Sequence, residues 1–328
     1  MASQKPYPAL LVVPPLQSNS HTHTLILLHG LGSNAERFGP ELLESSNLPA
    51  QLPTVKFVFP TAIKQRSTFL KRIPVNQWFN FSSLDDPNER TELQIDGLCQ
   101  TAAFLRKTVE HEAALLGTGG YQRVVLGGLS QGCAASVFAL LGGGFGASGN
   151  EKLGGFIGMS GWLPFERQLR LLLDSRESTD DDNDPFSTEE ADPFAQSSDR
   201  DDTTGDEREN IPELDVLNYI RDVLDLPMLT SQDVHSDHLE DKLSSMALSS
   251  KIPVADYLQV PTFIGHGSLD LKVPVQLGEK LADFLSSALH MDVTWKAYKE
   301  LGHWYSVPEE IDDIIHFLQD KVKVPITH

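Results

Sequence analysis

The segment Arg123-Val124-Val125-Leu126-Gly127-Gly128-Leu129-Ser130-Gln131-Gly132-Cys133-Ala134-Ala135-Ser136 decides the fold. It opens as an apolar, β-branched run of the kind buried on both faces of a parallel sheet. It then turns through Gly-Leu-Ser-Gln-Gly into small residues that suit a closely packed helix start. Gly128-x-Ser130-x-Gly132 between strand and helix is a nucleophile elbow. The serine sits on a sharp turn, so its neighbours two positions away must lack bulk. The helix that follows points its positive end at the serine, where negative charge would grow during acyl transfer.

On the N-terminal side, Thr24–Leu28 reads as a buried strand running into His29-Gly30-Leu31-Gly32-Ser33-Asn34. A glycine-rich turn there brings a backbone N–H over the sheet edge, and Leu31 is the candidate donor to an oxyanion, beside Gln131 of the elbow. The alternative is an ordinary strand-to-helix glycine turn. His29 reads as a turn-orienting residue. A short helix over Glu36–Ser45 and a strand over Val55–Pro60 follow. The aromatic loop Ile73–Phe81 is too irregular for an element. Its Trp78 and Phe79 either line an acyl pocket or belong to a packed loop. Glu92–Leu116 is a long amphipathic helix that presents Leu93, Leu98, Ala102, Leu105, Val109, Ala113 and Leu116 near one face.

After the elbow helix come a glycine-rich loop over 140–149 and a strand over 154–160 that leads into Gly161-Trp162-Leu163-Pro164. Trp162 and Leu163 are further candidate substrate contacts. The strand Val260–Gly265 precedes His266-Gly267-Ser268-Leu269-Asp270. A helix (Val275–Leu289), a strand (Val293–Tyr298), the loop Leu301-Gly302-His303-Trp304 and a helix (Pro308–Asp320) complete the chain. This alternation predicts an α/β fold, a mostly parallel central sheet with helices on both faces. Ser130, Asp270 and His303 each fall where a strand's C-terminal end opens into a loop, so the sheet can gather them. His303 would take the serine proton and Asp270 would hold the imidazole. Taken singly, each residue is an ordinary turn residue; order and loop position together single them out. His266 reads as a supporting residue.

The chain has 328 residues, 40% hydrophobic, with a net charge of −20. That charge argues against nucleic acid or an anionic membrane as partner. Its distribution is uneven: residues 174–210 hold fifteen carboxylates against three arginines, a balance of −12. With few large apolar residues, that stretch is expected to be a disordered insertion within a lid-like insert spanning 165–255 of an otherwise single domain, 1–328. A helix pattern resumes over Ile211–Leu226. Its expected place is near the acyl groove, the alternative being a decorative surface loop. His235 and His238 beside Asp233 and Asp237 read as a solvated polar segment rather than a metal site. No cofactor and no metal is expected. Cys99 and Cys133 read as structural thiols. No run approaches the length of a membrane span, and the polar, proline-broken N-terminus does not read as a signal peptide.

The sequence resembles the acyl-protein thioesterase/phospholipase–carboxylesterase family. The resemblance rests on Leu28-His29-Gly30-Leu31-Gly32, Gly127-Gly128-Leu129-Ser130-Gln131-Gly132, Ser160-Gly161-Trp162-Leu163-Pro164, His266-Gly267-Ser268-Leu269-Asp270 with Val273-Pro274, and Gly302-His303. It implies the α/β-hydrolase fold and cytosolic hydrolysis of acyl thioesters or carboxyl esters, lysophospholipid-type substrates included. It carries Ser130, Asp270 and His303 over as the triad, with Leu31 and Gln131 as oxyanion donors. The implied partners are an acylated protein or a small acyl ester, with no integral membrane segment, transient membrane contact left open. Two departures stand out. About ninety residues follow Pro164 where the family has a short connection, and Trp304-Tyr305 replace a small residue after His303. The rival reading is a non-catalytic binding module that keeps the fold and recruits partners through the acidic insertion; the intact Ser130, Asp270 and His303 count against it.

Overall fold

The computed structural model describes residues 6–17, 20–174, 211–230, 233 and 255–325. Residues 175–210 of the acidic stretch, and His235, Asp237 and His238, lie outside the described residues. Asp233 accepts the Thr230 N–H and hydroxyl, an ordinary turn arrangement.

One seven-stranded sheet organises the chain. Its strands are β1 (Leu11–Val13), β2 (His23–Leu28), β3 (Val55–Phe59), β6 (Val124–Leu129), β7 (Gly155–Met159), β8 (Thr262–Gly267) and β9 (Val293–Tyr298), in the order β1-β3-β2-β6-β7-β8-β9. Only β1 runs antiparallel, on β3. Every residue of β2, β6, β7 and β8 is buried, as continuous apolar runs in a sheet covered on both faces require.

Two hydrophobic layers flank the sheet. One holds α3 (Ile95–Leu116), α4 (Gln131–Gly142) and α6 (Pro212–Val223); the other holds α1 (Ala35–Ser46) and the C-terminal helix Glu309–Phe317. Leu98, Ala102, Leu105, Val109 and Ala113 of α3 all face the core. The chain passes from β2 outward to β3 and returns to place β6 on the other side of β2. The crevice above the C-terminal ends of β2 and β6 is thus a topological switch point, where open α/β sheets collect ligands.

Several boundaries differ from expectation. α4 continues into the glycines expected to be loop, ending at Gly142. The aromatic loop contains a short strand, β5 (Pro74–Asn76), paired antiparallel with β4 (Lys64–Arg66). α6 does not lie over the groove. Its Arg221 donates to the carbonyl of Gly142 at 2.7 Å, at the end of α4 remote from Ser130, and its Val216, Leu217 and Ile220 are buried. The apolar face of α6 is broad enough to belong in the core, with Arg221 capping the last carbonyl of its neighbour, that of Gly142.

Candidate active site

Ser130 sits between β6 and α4 with φ 57° and ψ −122°. This left-handed strain is held by Ser130 N–H donating to Met159 O at 2.8 Å. The glycines on either side are there for contact with β2. A Cβ on Gly128 would meet Leu28 O at 2.6 Å, and one on Gly132 would run into the same carbonyl. The turn therefore closes only with both side chains absent.

The hydroxyl of Ser130 lies 2.9 Å from His303 Nε2, and His303 Nδ1 lies 2.7 Å from Asp270 Oδ2. An ionised carboxylate only accepts, so the Nδ1 proton is on His303 and the Nε2 lone pair faces the serine hydroxyl. Asp270 is ionised for visible reasons. Burial pushes its carboxyl upward, but hydrogen bonds from His266, His303 and the Val273 N–H outweigh burial and hold it well below the usual carboxylate range. Its Oδ1 accepts the N–H groups of Lys272 and Val273, both at 2.9 Å. His266 is fully buried, donates from Nε2 to Val273 O at 2.8 Å, and stands 3.4 Å from Asp270 Oδ2. The loops of Asp270 and His303 are tied to each other, Leu269 N–H donating to Leu301 O at 2.9 Å. Ser160 adds a further tie, donating its hydroxyl to Trp304 O at 3.1 Å.

Gly30, Leu31 and Gly32 lie beside the serine. A Cβ on Gly30 would stand 3.4 Å from that of Ser130. Gly32 N–H is committed to Asn76 O at 2.8 Å, whereas the N–H of Leu31 has no acceptor among the described residues. Gln131 is the first residue of α4, so its N–H has no intrahelical acceptor either. His29 fixes this loop. Its Nε2 accepts Ala62 N–H at 3.0 Å, so Nδ1 carries the proton and donates to Gly30 O at 2.7 Å. Burial pushes its pKa down to about 4.

A cleft of about 460 Å³ opens over these groups. Its walls include Leu31, Phe69, Leu70, Leu84 and Trp304, with Arg37, Glu41 and Lys272 supplying charge. None of the four expected substrate contacts, Trp78, Phe79, Trp162 and Leu163, lines this cleft; all four are buried in the core. Trp78 instead donates from its indole to His29 O at 2.8 Å. Phe79 and Phe81 meet Trp162 edge-on. The hairpin residues Phe69 and Leu70 carry no motif that would have marked them, and Trp304 stood out only as bulk after a histidine. Cys133 is no rival nucleophile, since burial pushes its thiol up to about 12. Among the described residues, no three metal-binding side chains converge.

The sequence profile of the phospholipase/carboxylesterase family matches residues 12–173 and 243–322. The chain belongs to that family. It is a hydrolase of acyl thioesters or carboxyl esters, like other members. Acyl-protein thioesterase 1 of Yarrowia lipolytica is 30% identical over 319 residues, 97% of this chain and 99% of the relative. Acyl-protein thioesterase 1 of Gibberella zeae is 24% identical over 321 residues, 96% of each. The crystal structure of Zea mays acyl-protein thioesterase 2 superposes with a TM-score of 0.60 at 22% identity, covering 96% of this chain and all of that one. That likeness is one of fold. The family match leaves out residues 174–242, which span the acidic stretch.

Proposed function

We propose that this member of the family is a serine hydrolase that deacylates through a covalent acyl-enzyme on Ser130. One observation carries the reading: the continuous line of hydrogen bonds from Ser130 Oγ through the His303 ring to Asp270. Ser130 Oγ attacks the acyl carbonyl as His303 Nε2 takes its proton, and Asp270 balances the imidazolium. The oxyanion forms against the N–H groups of Leu31 and Gln131, fixed donors that need no reorganisation. Collapse expels the leaving group, which takes the proton from His303 and departs as thiol or alcohol; His303, neutral again, deprotonates the water that releases the acid, and returns the proton to Ser130.

A thiolate of pKa about 8.5 leaves with little help, whereas an alkoxide needs the His303 proton. The site therefore serves thioesters and oxygen esters alike. The names of the relatives point to acylated proteins as substrates, and the cleft wall of Leu31, Phe69, Leu70, Leu84 and Trp304 supplies the apolar surface an acyl chain needs. Leu31 and Leu84 of that wall pack against the core cluster that holds Trp78, Phe79, Trp162 and Leu163. No helix among the described residues is long and apolar enough to cross a membrane.

A fluorophosphonate probe tests the proposal. It is expected to label the wild type and not Ser130→Ala; labelling of both, or of neither, would overturn it. A chain-length series of aryl esters and acyl thioesters on the same two proteins then ranks the substrates.

A further inference from the structure

β8 carries a polar ring into an apolar layer. His266 is the fifth of its six residues, all of them buried, and its side chain packs against the helix Val275–Asp283. The fit is close. A Cβ on Gly278 of that helix would stand 3.0 Å from His266 Cγ and closer still to Nδ1, and the ring of Trp295 lies 6.4 Å away, centroid to centroid. Leucine would serve packing alone, because burying an imidazole has a cost that its hydrogen bonds must offset. Only one ring nitrogen has partners. Nε2 lies 2.8 Å from Val273 O and 3.4 Å from Asp270 Oδ2, both acceptors, so the proton is on Nε2. Nδ1 faces Gly278 and has no partner among the described residues. A second proton would find no acceptor there, so the ring is neutral.

The single proton of His266 closes a circuit around the acid. His266 donates to the carbonyl of Val273, and the N–H of Val273 donates to Asp270 Oδ1 at 2.9 Å. Asp270 Oδ2 lies beside the His266 nitrogen that began the circuit, and 2.7 Å from His303 Nδ1. Turning the carboxyl plane would break these contacts together, so the plane is fixed with one oxygen aimed at His303. Charge acts in the same sense. A protonated His266 would set a second cation against Asp270 and weaken its hold on an imidazolium at His303. The neutral ring lends an N–H dipole and leaves the carboxylate's charge to His303.

We propose that His266 is a positioning residue for acyl transfer: held neutral under Gly278, it keeps the Asp270 carboxylate aimed at His303, through Val273 and by its own Nε2–H. It touches no substrate atom and acts only through Asp270. Gly278 shares the task, since any side chain there would drive the ring off its two acceptors. The role rests on the acyl-enzyme reading of Ser130 and names a fourth residue on which that reading depends. A ring placed only to fill space would leave the aim of Asp270 unchanged when replaced by an apolar side chain.

Three full-length variants test the role: His266→Leu, which fills the space and donates nothing, His266→Gln, whose amide N–H reaches where Nε2 stood, and Gly278→Ala. On a soluble aryl ester, His266→Leu is expected to lower kcat about 100-fold with KM held, the scale of a small misplacement within a catalytic array. His266→Gln is expected to recover most of that loss. Gly278→Ala keeps every hydrogen-bonding group and favours the helix, yet its Cβ displaces the ring, and kcat is expected to fall about tenfold. Where His266→Leu does not fold, Gly278→Ala decides alone. Proton NMR in a Ser130→Ala background reads the aim without turnover. The low-field resonance of the His303 Nδ1 proton is expected in the parent and with His266→Gln, and is expected to be lost with His266→Leu. Unchanged kcat in His266→Leu or Gly278→Ala, a glutamine variant as slow as the leucine one, a rise in KM in place of the fall in kcat, or a resonance that survives His266→Leu would each overturn the role. Fluorophosphonate separates the two readings: an unlabelled wild type overturns the acyl-enzyme, whereas a labelled wild type with any of those results overturns the role of His266 alone.

Discussion

Gln131 accepts the backbone N–H of Trp78 on its side-chain oxygen at 3.0 Å, and the residue next to the candidate nucleophile is thereby fastened to the aromatic loop. Its amide nitrogen completes the clasp by donating to Phe79 O at 2.8 Å. The backbone N–H of the same residue is the proposed oxyanion donor, so the clasp sets where that donor points. Removing it in Gln131→Ala strands a buried N–H and a buried C=O, each costing about 1–3 kcal/mol. The expected result is a loss of at least about 2 kcal/mol in stability, with kcat falling about tenfold while KM holds. Thermal melts and steady-state kinetics on an aryl ester check both. A drop in stability with kcat intact would separate the clasp from the oxyanion donor.

Asp270→Asn keeps the shape of the site and reverses one donor. Its Oδ1 can still accept the Lys272 and Val273 N–H groups, so the loop should hold. The amide nitrogen would face His303 Nδ1 and favour the tautomer protonated at Nε2, which cannot accept the Ser130 proton. A fall in kcat of about 10³- to 10⁴-fold is expected, with KM little changed. Single-turnover acylation followed at an aryl ester provides the measurement. A loss under about tenfold would show that Asp270 does not set the tautomer.

How much of this could be read from the chain depends on how local the cause is. The elbow was legible because the contact of Gly128 and Gly132 with Leu28 O leaves a local trace, two glycines around a serine. The grouping of Ser130, Asp270 and His303 was legible because each lies in the turn or loop that follows a strand's C-terminal end. The role of Trp78 was not, because its partners Gln131 and His29 lie 53 and 49 residues away. The cleft wall at Phe69 and Leu70 was hidden because β4 and β5 are three residues each, too short for a period to register. The place of α6 was hidden because an apolar face says that a helix is covered and not by what.

Glu310 links the pH dependence of stability to the His303 loop. It is buried at the start of the C-terminal helix, with Oε2 accepting Ser306 N–H at 2.9 Å and Oε1 unpaired among the described residues. Burial first, then repulsion from Asp313, push its carboxyl from 4.5 up to about 8, against the pull of the Ser306 bond. The folded pKa lies above the unfolded one, so the folded protein holds more protons in between. This contribution is whole below about 4.5 and is lost as pH rises to about 8. Glu310→Gln removes it. The difference in Tm between variant and wild type is therefore expected to grow in favour of the variant from pH 5 to 9. A difference constant across that range would refute the assignment.

Gly97 tests how tightly α3 presses on the aromatic loop. A Cβ there would lie 2.7 Å from Phe79 Cβ and 3.0 Å from Trp78 O, and closer still to Phe79 Cα. The helix is already seated by Thr101, whose hydroxyl donates to Trp78 O at 2.8 Å, so it cannot simply slide away. Gly97→Ala gains about 1 kcal/mol of helix propensity, whereas forcing backbone from backbone costs about 1–3 kcal/mol. The closest of the colliding atoms, Phe79 Cα, is main chain, which puts the cost at the upper end, and the variant is expected to melt below the wild type. Displacement of Phe79 should pass to Gln131 through their hydrogen bond and lower kcat as well. A variant that melts at or above the wild type would mean the loop yields freely, and the clasp on Gln131 would then lack the rigid backing that its role requires.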